Sequence, residues 1–263
     1  MTEPARTRRP LSRGEWVALA LAVVIVGATV ALWVKPSWGP TGTAPPAAPA
    51  AVSDEPATTP GGPAPTATDE HVRELLAAAS PDRRFRRWLN EADLVRRWVV
   101  ATDNLAEGVI PRRSLDFLAP ARSFTVAVKD GTTVIAPAAF ARYDGFADAV
   151  ASIDPQVFAR VYRELHGVLE ASYRGLGYPG ASLDQVTARA IRRIELAPVE
   201  EGDTALVEQG GAYAFAEPRL EQLGAVEKQL LRMGPRNTRI VQAKARDIRA
   251  ALGLPVEIAT QAR

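Results

Sequence analysis

Side chains that could carry out catalysis or bind a metal are scarce in this chain. It has no cysteine, and its two histidines, His71 and His166, are far apart in sequence. A zinc site draws its ligands from cysteine, histidine and carboxylates at short spacings, and these residues supply no such set. His166 lies beside the apolar face of a predicted helix, where a structural role is expected. A G-x-S-x-G nucleophile elbow is absent as well, so the sequence predicts neither a cofactor nor a metal.

One segment matches a phosphate-binding pattern by letters alone. Residues 175–180 read GLGYPG, which satisfies G-x-G-x-x-G. A dinucleotide-binding fingerprint needs a strand before the glycines and a helix that begins within them. Here a predicted helix comes first and Pro179 interrupts the glycines. The segment is therefore interpreted as a helix end followed by a turn.

Acidic residues leave two alternatives open. Glu200, Glu201 and Asp203 are typical of a solvated loop, with calcium binding as the other reading. Glu217 and Glu221 share a face of a predicted helix, and a pair of carboxylates is what glycoside hydrolysis requires. Surface charge is the ordinary reason for such a pair. A hydrolase acting on an envelope glycan or peptide is accordingly the alternative function, and the main prediction is a protein without enzymatic activity.

A basic segment near the C-terminus has spacing that could build a binding cluster. Lys228 and Arg232 are one helical turn apart, and the turn at residues 233–235 brings Arg236 and Asn237 to the start of the next helix. Together they could receive a carboxylate or a phosphate. The alternative is internal: Arg232 pairs with a buried acid, and Asn237 caps the final helix.

The internal alternative is favoured, because buried charges are normally paired. Asp103 and Asp144 are the acids considered as partners of that arginine. Arg142 and Tyr143, which precede Asp144, have the same ambiguity, and a structural role is again preferred.

Helices must position these residues, since apolar residues recur at helical spacing through most of the chain. Asp130-Gly131 and Gly210-Gly211 mark the turns of two short β-hairpins, because these residues accept positive φ. The fold class is thus mainly α, of the α+β type. Helices are predicted at residues 69–79, 81–90, 91–108, 137–146, 155–175, 183–196, 218–233 and 236–252, and hairpins at 123–135 and 205–215. Each hairpin leads through a proline into a helix, which is a weak hint of an internal repeat.

The N-terminal region predicts a membrane anchor. Residues 16–34 carry no charge and would span about 28 Å as a helix, close to the hydrocarbon thickness of a bilayer. Four arginines in residues 1–15 place that tail in the cytoplasm and the rest of the chain across the membrane. A cleaved signal peptide is the alternative, although its apolar region is usually shorter. A lipoprotein is excluded because no cysteine is present to carry the lipid.

Two further regions follow the anchor. Residues 35–68 are rich in proline, alanine and threonine and predict a disordered linker, because they offer few large apolar side chains to bury. Residues 69–263 are long enough for one helical periplasmic domain. That domain has 27 basic and 26 acidic residues. Its near-neutral charge argues against nucleic acid as a partner.

Three blocks resemble a known family. They are residues 96–106 (RRWVVATDNLA), 141–144 (ARYD) and 227–237 (EKQLLRMGPRN). They look like the blocks of domain of unknown function family 3014, and the resemblance covers most of residues 80–252. It implies a bacterial envelope protein and no activity.

The expected function is that of a membrane-anchored interaction or scaffolding module in the bacterial inner membrane. Besides the membrane itself, its expected partner is another envelope protein or a cell-wall component.

Overall fold

The computed structural model describes residues 67–110, 115–178, 180 and 182–254. Its first three helices appear in the predicted order. Thr68 caps the first of them, because its hydroxyl oxygen accepts the N–H of His71 at 3.2 Å. These helices are α1 (Asp69–Ala77), α2 (Arg83–Trp88) and α3 (Leu94–Ala106).

The caps of α2 and α3 differ from those that the sequence predicts, which are Ser80, before Pro81, and Asn90. The carboxylate of Asp82, and not the hydroxyl of Ser80, accepts the first N–H groups of α2. Asn90 does not cap α3. Instead Asp93 precedes that helix in the left-handed conformation, and the carboxylate of Asp69 accepts its N–H and that of the next residue, both at 2.8 Å. A cap supplied from 24 residues away leaves no signature in local spacing.

The first predicted hairpin is confirmed. Asp130 and Gly131 have positive φ values of 49° and 77°, which suit the two central positions of a tight hairpin turn. The helix predicted after Pro137 is divided in two by a break at Arg142 and Tyr143. The elements are β1 (Val126–Lys129), β2 (Thr132–Ile135), α4 (Pro137–Ala141) and α5 (Asp144–Ala151).

Two long helices follow. Asp154 caps the first through the N–H groups of Gln156 and Val157, and the helix ends at the predicted Gly175. The second begins after Ser182 as predicted, but Ser182 makes no side-chain cap. The carboxylate of Glu170 accepts its first N–H instead. The helices are α6 (Pro155–Arg174) and α7 (Leu183–Leu196).

The last part of the chain repeats the order hairpin, short helix, long helix. The predicted helix at residues 218–233 is interrupted after its first turn. The predicted break at Gly234-Pro235 is present, because Gly234 is non-helical with φ 81° and ψ 163°. The helices before and after it form one long, kinked element. The elements are β3 (Leu206–Gln209), β4 (Ala212–Phe215), α8 (Pro218–Glu221) and α9 (Ala225–Leu252).

The two hairpins remain separate two-stranded sheets. They touch at one antiparallel bridge between Val134 and Ala205 and at a ring contact of 6.2 Å between Phe124 and Tyr213. The architecture is therefore mainly helical with two small antiparallel sheets, which confirms the α+β class.

Helix α9 packs against α4, α5, α6 and α7, and α3 packs against α6 and α7. Trp98, at 1% exposure, stacks on Phe158 and Tyr162 at the centre of this main core. A smaller core lies under the hairpins and joins them to the helices. Its buried members are Ile135, Ala139, Leu206, Phe215, Leu220 and Leu231.

Among the described residues, no helix has both the length and the apolar character needed to cross a bilayer. The predicted anchor at residues 16–34 lies outside the described residues, as does the predicted linker up to residue 66.

Candidate functional site

Six of the seven predicted site residues lie around one junction. It is formed where the break between α4 and α5 meets the kinked part of α9 and the base of the second hairpin. Asp103 is the exception and lies on α3. The six residues at the junction are Arg142, Tyr143, Lys228, Arg232, Arg236 and Asn237.

Asn237 ties the kink of α9 to the end of α4. Its side-chain nitrogen donates to the carbonyl oxygens of Met233 at 3.0 Å and Phe140 at 3.1 Å, and to the carboxylate of Asp144 at 3.0 Å. The residue is 1% exposed. The prediction that Asn237 caps the final helix was wrong, because its amide nitrogen makes these three bonds, its amide oxygen accepts the guanidinium of Arg236, and it lies three residues past Gly234.

Arg236 joins α9 to α5 at the surface of the same junction. Its guanidinium donates to Asp148 at 2.9 Å and lies 3.5 Å from Asp144, both on α5. A further bond at 2.8 Å reaches the side-chain oxygen of Asn237. The hydrogen bond to Asp148 raises the pKa of Arg236 above its ordinary value. The pair of acids on α5 thus has a basic partner on α9.

Tyr143 is fully buried beneath this network. Gln229, at 1% exposure, donates to its hydroxyl oxygen at 3.1 Å across the gap between α9 and the α4–α5 break. Burial raises the pKa of Tyr143, which the nearby Arg142 and Arg232 lower in part. The phenol therefore stays protonated and acts as a structural group.

Arg142 is held between two aromatic rings. Its guanidinium carbon lies 5.2 Å from the ring centre of Phe124 and 4.8 Å from that of Tyr143. Its Nε donates to the carbonyl of Ala139 at 3.0 Å. Burial lowers the pKa of Arg142. These contacts anchor the segment before the first hairpin to α4, as the favoured structural role predicts.

Lys228 and Arg232 meet the second hairpin. Lys228 donates to the carboxylate of Glu221 at 2.7 Å and to its carbonyl at 2.8 Å, and the other carboxylate oxygen accepts the N–H of Phe215 at 2.9 Å. Arg232 lies over the ring of Phe215 at 4.8 Å. Lys228 and Arg232 therefore hold β4 and α8 against α9.

Asp103 makes its contacts elsewhere. Its carboxylate accepts the hydroxyl of Tyr173 at 3.4 Å, and its pKa is raised by burial and by the nearby Glu107. Asp144, the other acid considered, is engaged with Arg236 and Asn237. Neither acid takes the role predicted for it as the partner of Arg232.

Two members of the junction were missed from the sequence. Glu221 was considered only as half of a carboxylate pair, and Gln229 was not considered at all. The spacing of seven residues between Glu221 and Lys228 would suggest two turns of one helix, but the chain breaks between them. The contact arises because α8 folds back on α9, which spacing does not show.

The acidic residues of the predicted loop are engaged in ion pairs. Glu200 binds Arg219 at 2.8 Å, and Glu201 and Asp203 pair with Arg239 and Lys129. Glu217 also pairs with Arg219. Within the described part of the chain, no group of three or more histidines and carboxylates is arranged to hold a metal ion.

His166 lies 3.2 Å from Asp184, which also accepts the hydroxyl of Tyr162 at 2.7 Å. Together they connect α6 to α7 at the edge of a small, mostly apolar cavity next to Trp98. The surroundings of His166 agree with the structural role expected for it.

The hairpins differ from this network because they expose apolar side chains. Val128 is 74% exposed, Val207 49% and Tyr213 36%. These three residues lie on β1, β3 and β4, and together we call them the hairpin surface. Val207 is paired with Ala214 and Tyr213 with Glu208, so Val207 and Tyr213 lie on opposite faces of the second hairpin. The polar junction holds the two hairpins on the helices.

Comparison with known proteins gives one match. No curated protein and no solved structure matches the chain. A family model described as a protein of unknown function (DUF3014) matches residues 94–249, from the start of α3 to near the end of α9. The match includes the whole junction and both hairpins, and it covers more than half of the chain. This chain is a member of the DUF3014 family.

Proposed function

We propose that the chain is a single-pass protein of the bacterial inner membrane whose folded domain is an interaction or scaffolding module. Residues 1–15 lie in the cytoplasm, 16–34 form the membrane helix, 35–68 are a disordered tether and 69–263 form the periplasmic domain. The uncharged apolar run, the arginines before it and the proline-rich segment after it support this arrangement.

The observation that carries the interaction role is the hairpin surface. Three of the six large apolar side chains that the described residues expose belong to it. Apolar groups exposed on two hairpins that touch each other can contact an apolar segment of a second protein. A two-stranded sheet also presents edge backbone groups to which a strand of another protein can be added.

These features favour a protein partner over a glycan. A glycan is bound mainly through hydroxyl groups, whereas Val128 and Val207 offer no hydrogen-bonding side chain. The partner is therefore another envelope protein that contributes an apolar segment or a strand. Because the tether lets the domain reach that protein away from the membrane, the domain acts as a scaffold for it.

Photo-crosslinking in the native cell tests the proposal. A benzophenone amino acid replaces Val128, Val207 or Tyr213 in the full chain, one position at a time. Val109 and Leu196 are matched controls, because they are equally exposed apolar residues at 49% and 65% but lie away from the hairpins.

The three hairpin positions are expected to crosslink to one common protein, and the controls are expected to give little or none of that product. Equal crosslinking from all five positions, or three unrelated products, would contradict the proposal.

A further inference from the structure

The short helix α2 has four arginines on its outer side. Arg83, Arg84, Arg86 and Arg87 are all exposed, whereas Phe85 and Trp88 on the same helix are buried at 0% and 6%. The helix is only about 9 Å long at 1.5 Å per residue. Four positive charges are therefore concentrated on less than two helical turns.

The core holds this helix in place. The ring of Phe85 packs edge-on against Trp88, which contacts Phe146 on α5 at 5.5 Å. The guanidinium of Arg84 lies flat against the backbone of Gly145, since a Cβ at that glycine would come within 2.7 Å of its Nε. The orientation of the charged side is thus fixed relative to the rest of the domain.

Nearby acids do not neutralise the arginines. Across the described residues none of the four forms an ion pair, although fourteen ion pairs occur elsewhere. The carboxylate of Asp82 caps the helix, and Glu91, at 2% exposure, pairs with Arg97. Like charges three and four residues apart destabilise a helix, so an external anion would relieve a repulsion within α2.

We propose that this arginine surface docks the domain on the phosphate headgroups of an anionic bilayer. The inference rests on the proposed membrane attachment. Guanidinium groups bind phosphate oxygens through paired hydrogen bonds. The surface contains four such groups and no exposed apolar side chain, which suits contact with headgroups without insertion.

Position in the chain favours a bilayer over a soluble polyanion. The described part begins at Ala67, and only the nine-residue helix α1 and a short turn separate the proposed tether from α2. The tether keeps this corner of the domain at high local concentration near the membrane in which residues 16–34 are placed. The docking surface and the attachment point therefore lie at the same end of the chain.

A fluorescent probe on the full chain in vesicles tests the docking. The chain has no native cysteine, so Asn90→Cys gives a single labelling site beside α2, and Leu196→Cys gives a control site on α7. Vesicles contain a headgroup quencher in phosphatidylcholine, with or without phosphatidylglycerol. Resistance of the protein to alkaline carbonate extraction reports membrane insertion separately.

The probe at Asn90 is expected to be quenched in the anionic vesicles and much less in the neutral ones. Raising the ionic strength from ~0.1 to ~1 M should release it, because the Debye length falls from about 10 to 3 Å. Each Arg→Gln change at 83, 84, 86 or 87 should lower the docking equilibrium constant about fivefold. The control set Arg122→Gln, Lys129→Gln, Arg160→Gln and Arg246→Gln removes four exposed charges and should leave docking within twofold.

Three results would overturn the docking, and a fourth would overturn the membrane attachment on which it rests. The three are an unquenched probe at Asn90 in anionic vesicles, equal quenching at Leu196, and equal effects of the two sets of substitutions. An unquenched probe at Asn90 on protein that resists carbonate extraction would contradict the docking but not the membrane attachment. It would indicate that the arginines bind an acidic protein surface instead. Protein that is extracted by carbonate contradicts the membrane attachment, and the inference fails with it.

Discussion

Glu221 joins three elements through one carboxylate, because it accepts bonds from Lys228 on α9 and from the N–H of Phe215 on β4 while it belongs to α8. Burial raises the pKa of Glu221, but these two bonds outweigh that effect and lower the pKa below its ordinary value of 4.5. A carboxylate with a lowered pKa stabilises the native state above pH ~4.5. That contribution is lost as the pH falls through the pKa of the folded state.

Lys228→Met is therefore expected to lower the free energy of unfolding by about 1 kcal/mol at pH 7, discounted for the partial exposure of the pair. The difference from the parent should shrink as the pH falls through the lowered pKa of Glu221, because the carboxylate is then protonated in both proteins. Urea unfolding at pH 7 and at pH 3 measures it.

Lys129→Met is the control, since it removes a lysine from an exposed strand and should change stability by less than about 0.5 kcal/mol. A difference between parent and Lys228→Met that stays the same from pH 7 to pH 3 would show that the ion pair does not stabilise the fold.

For single residues, the sequence predicted which side chains lie near one another but not what each of them contacts. The helical spacing of Lys228 and Arg232, with the turn that brings Arg236 to the next helix, predicted that these residues lie close together, and the structure places them around one junction. Their partners on α5, α8 and β4 lie between 7 and 92 residues away along the chain. Periodicity reports only the face of one helix, so it could not identify Glu221 or Gln229.

The kink in α9 depends on a single glycine. Gly234 has φ 81° and ψ 163°, a conformation that is essentially limited to glycine. It also lies against Phe140, because a Cβ at this position would come within 2.6 Å of the ring. Backbone conformation and close packing of α4 on α9 therefore both require a residue without a side chain.

Gly234→Ala is expected to lower the free energy of unfolding by about 3 kcal/mol, from backbone strain and from overpacking against the ring. Gly253→Ala is the matched control: that glycine also has a positive φ, 72°, but no atom lies within 4 Å of its added Cβ. It should cost about 1 kcal/mol. Urea unfolding of both variants measures the difference.

Adding Phe140→Ala to Gly234→Ala should make the glycine substitution less costly, because the clash is removed. If the two glycine variants lose equal stability in otherwise unchanged protein, the contact with Phe140 does not constrain the kink.

Secondary structure was the most predictable level. Both hairpin turns, the start of α6 at Asp154 and the terminating glycines at 175 and 253 follow from local chemistry, and the structure confirms them. The errors fall at breaks, where α4 separates from α5 and α8 from α9. The break between α4 and α5 lies where the chain turns to bury Tyr143, and that requirement is set by tertiary packing.

The whole domain extends beyond the region matched by the family model, which begins at Leu94. Helices α1 and α2 precede that residue, and they place Val72, Leu76, Phe85 and Trp88 in the main core at 6% exposure or less. The core is therefore shared between residues before and after the start of the match.

A fragment of residues 67–263 is expected to unfold in one cooperative transition, and a fragment of residues 94–263 is expected to show none. The shorter fragment loses five large buried side chains, these four and Leu89, at about 2–4 kcal/mol each, which together approach the total stability of a typical domain. Circular dichroism during thermal and urea unfolding checks both. A cooperative transition in the shorter fragment would show that α1 and α2 are accessory to the core.

The bond from Asp69 to the start of α3 has a mechanical consequence. A force applied to the chain before Ala67 acts first on α1. The carboxylate of Asp69 in that helix accepts the N–H groups of Asp93 and Leu94 at the start of α3. The force would have to break these two hydrogen bonds and remove Val72 and Leu76 from the core before it acted on the hairpins. The domain is thus built so that load entering from its N-terminal side is borne by α1, while the surface that we propose binds a partner stays unstrained.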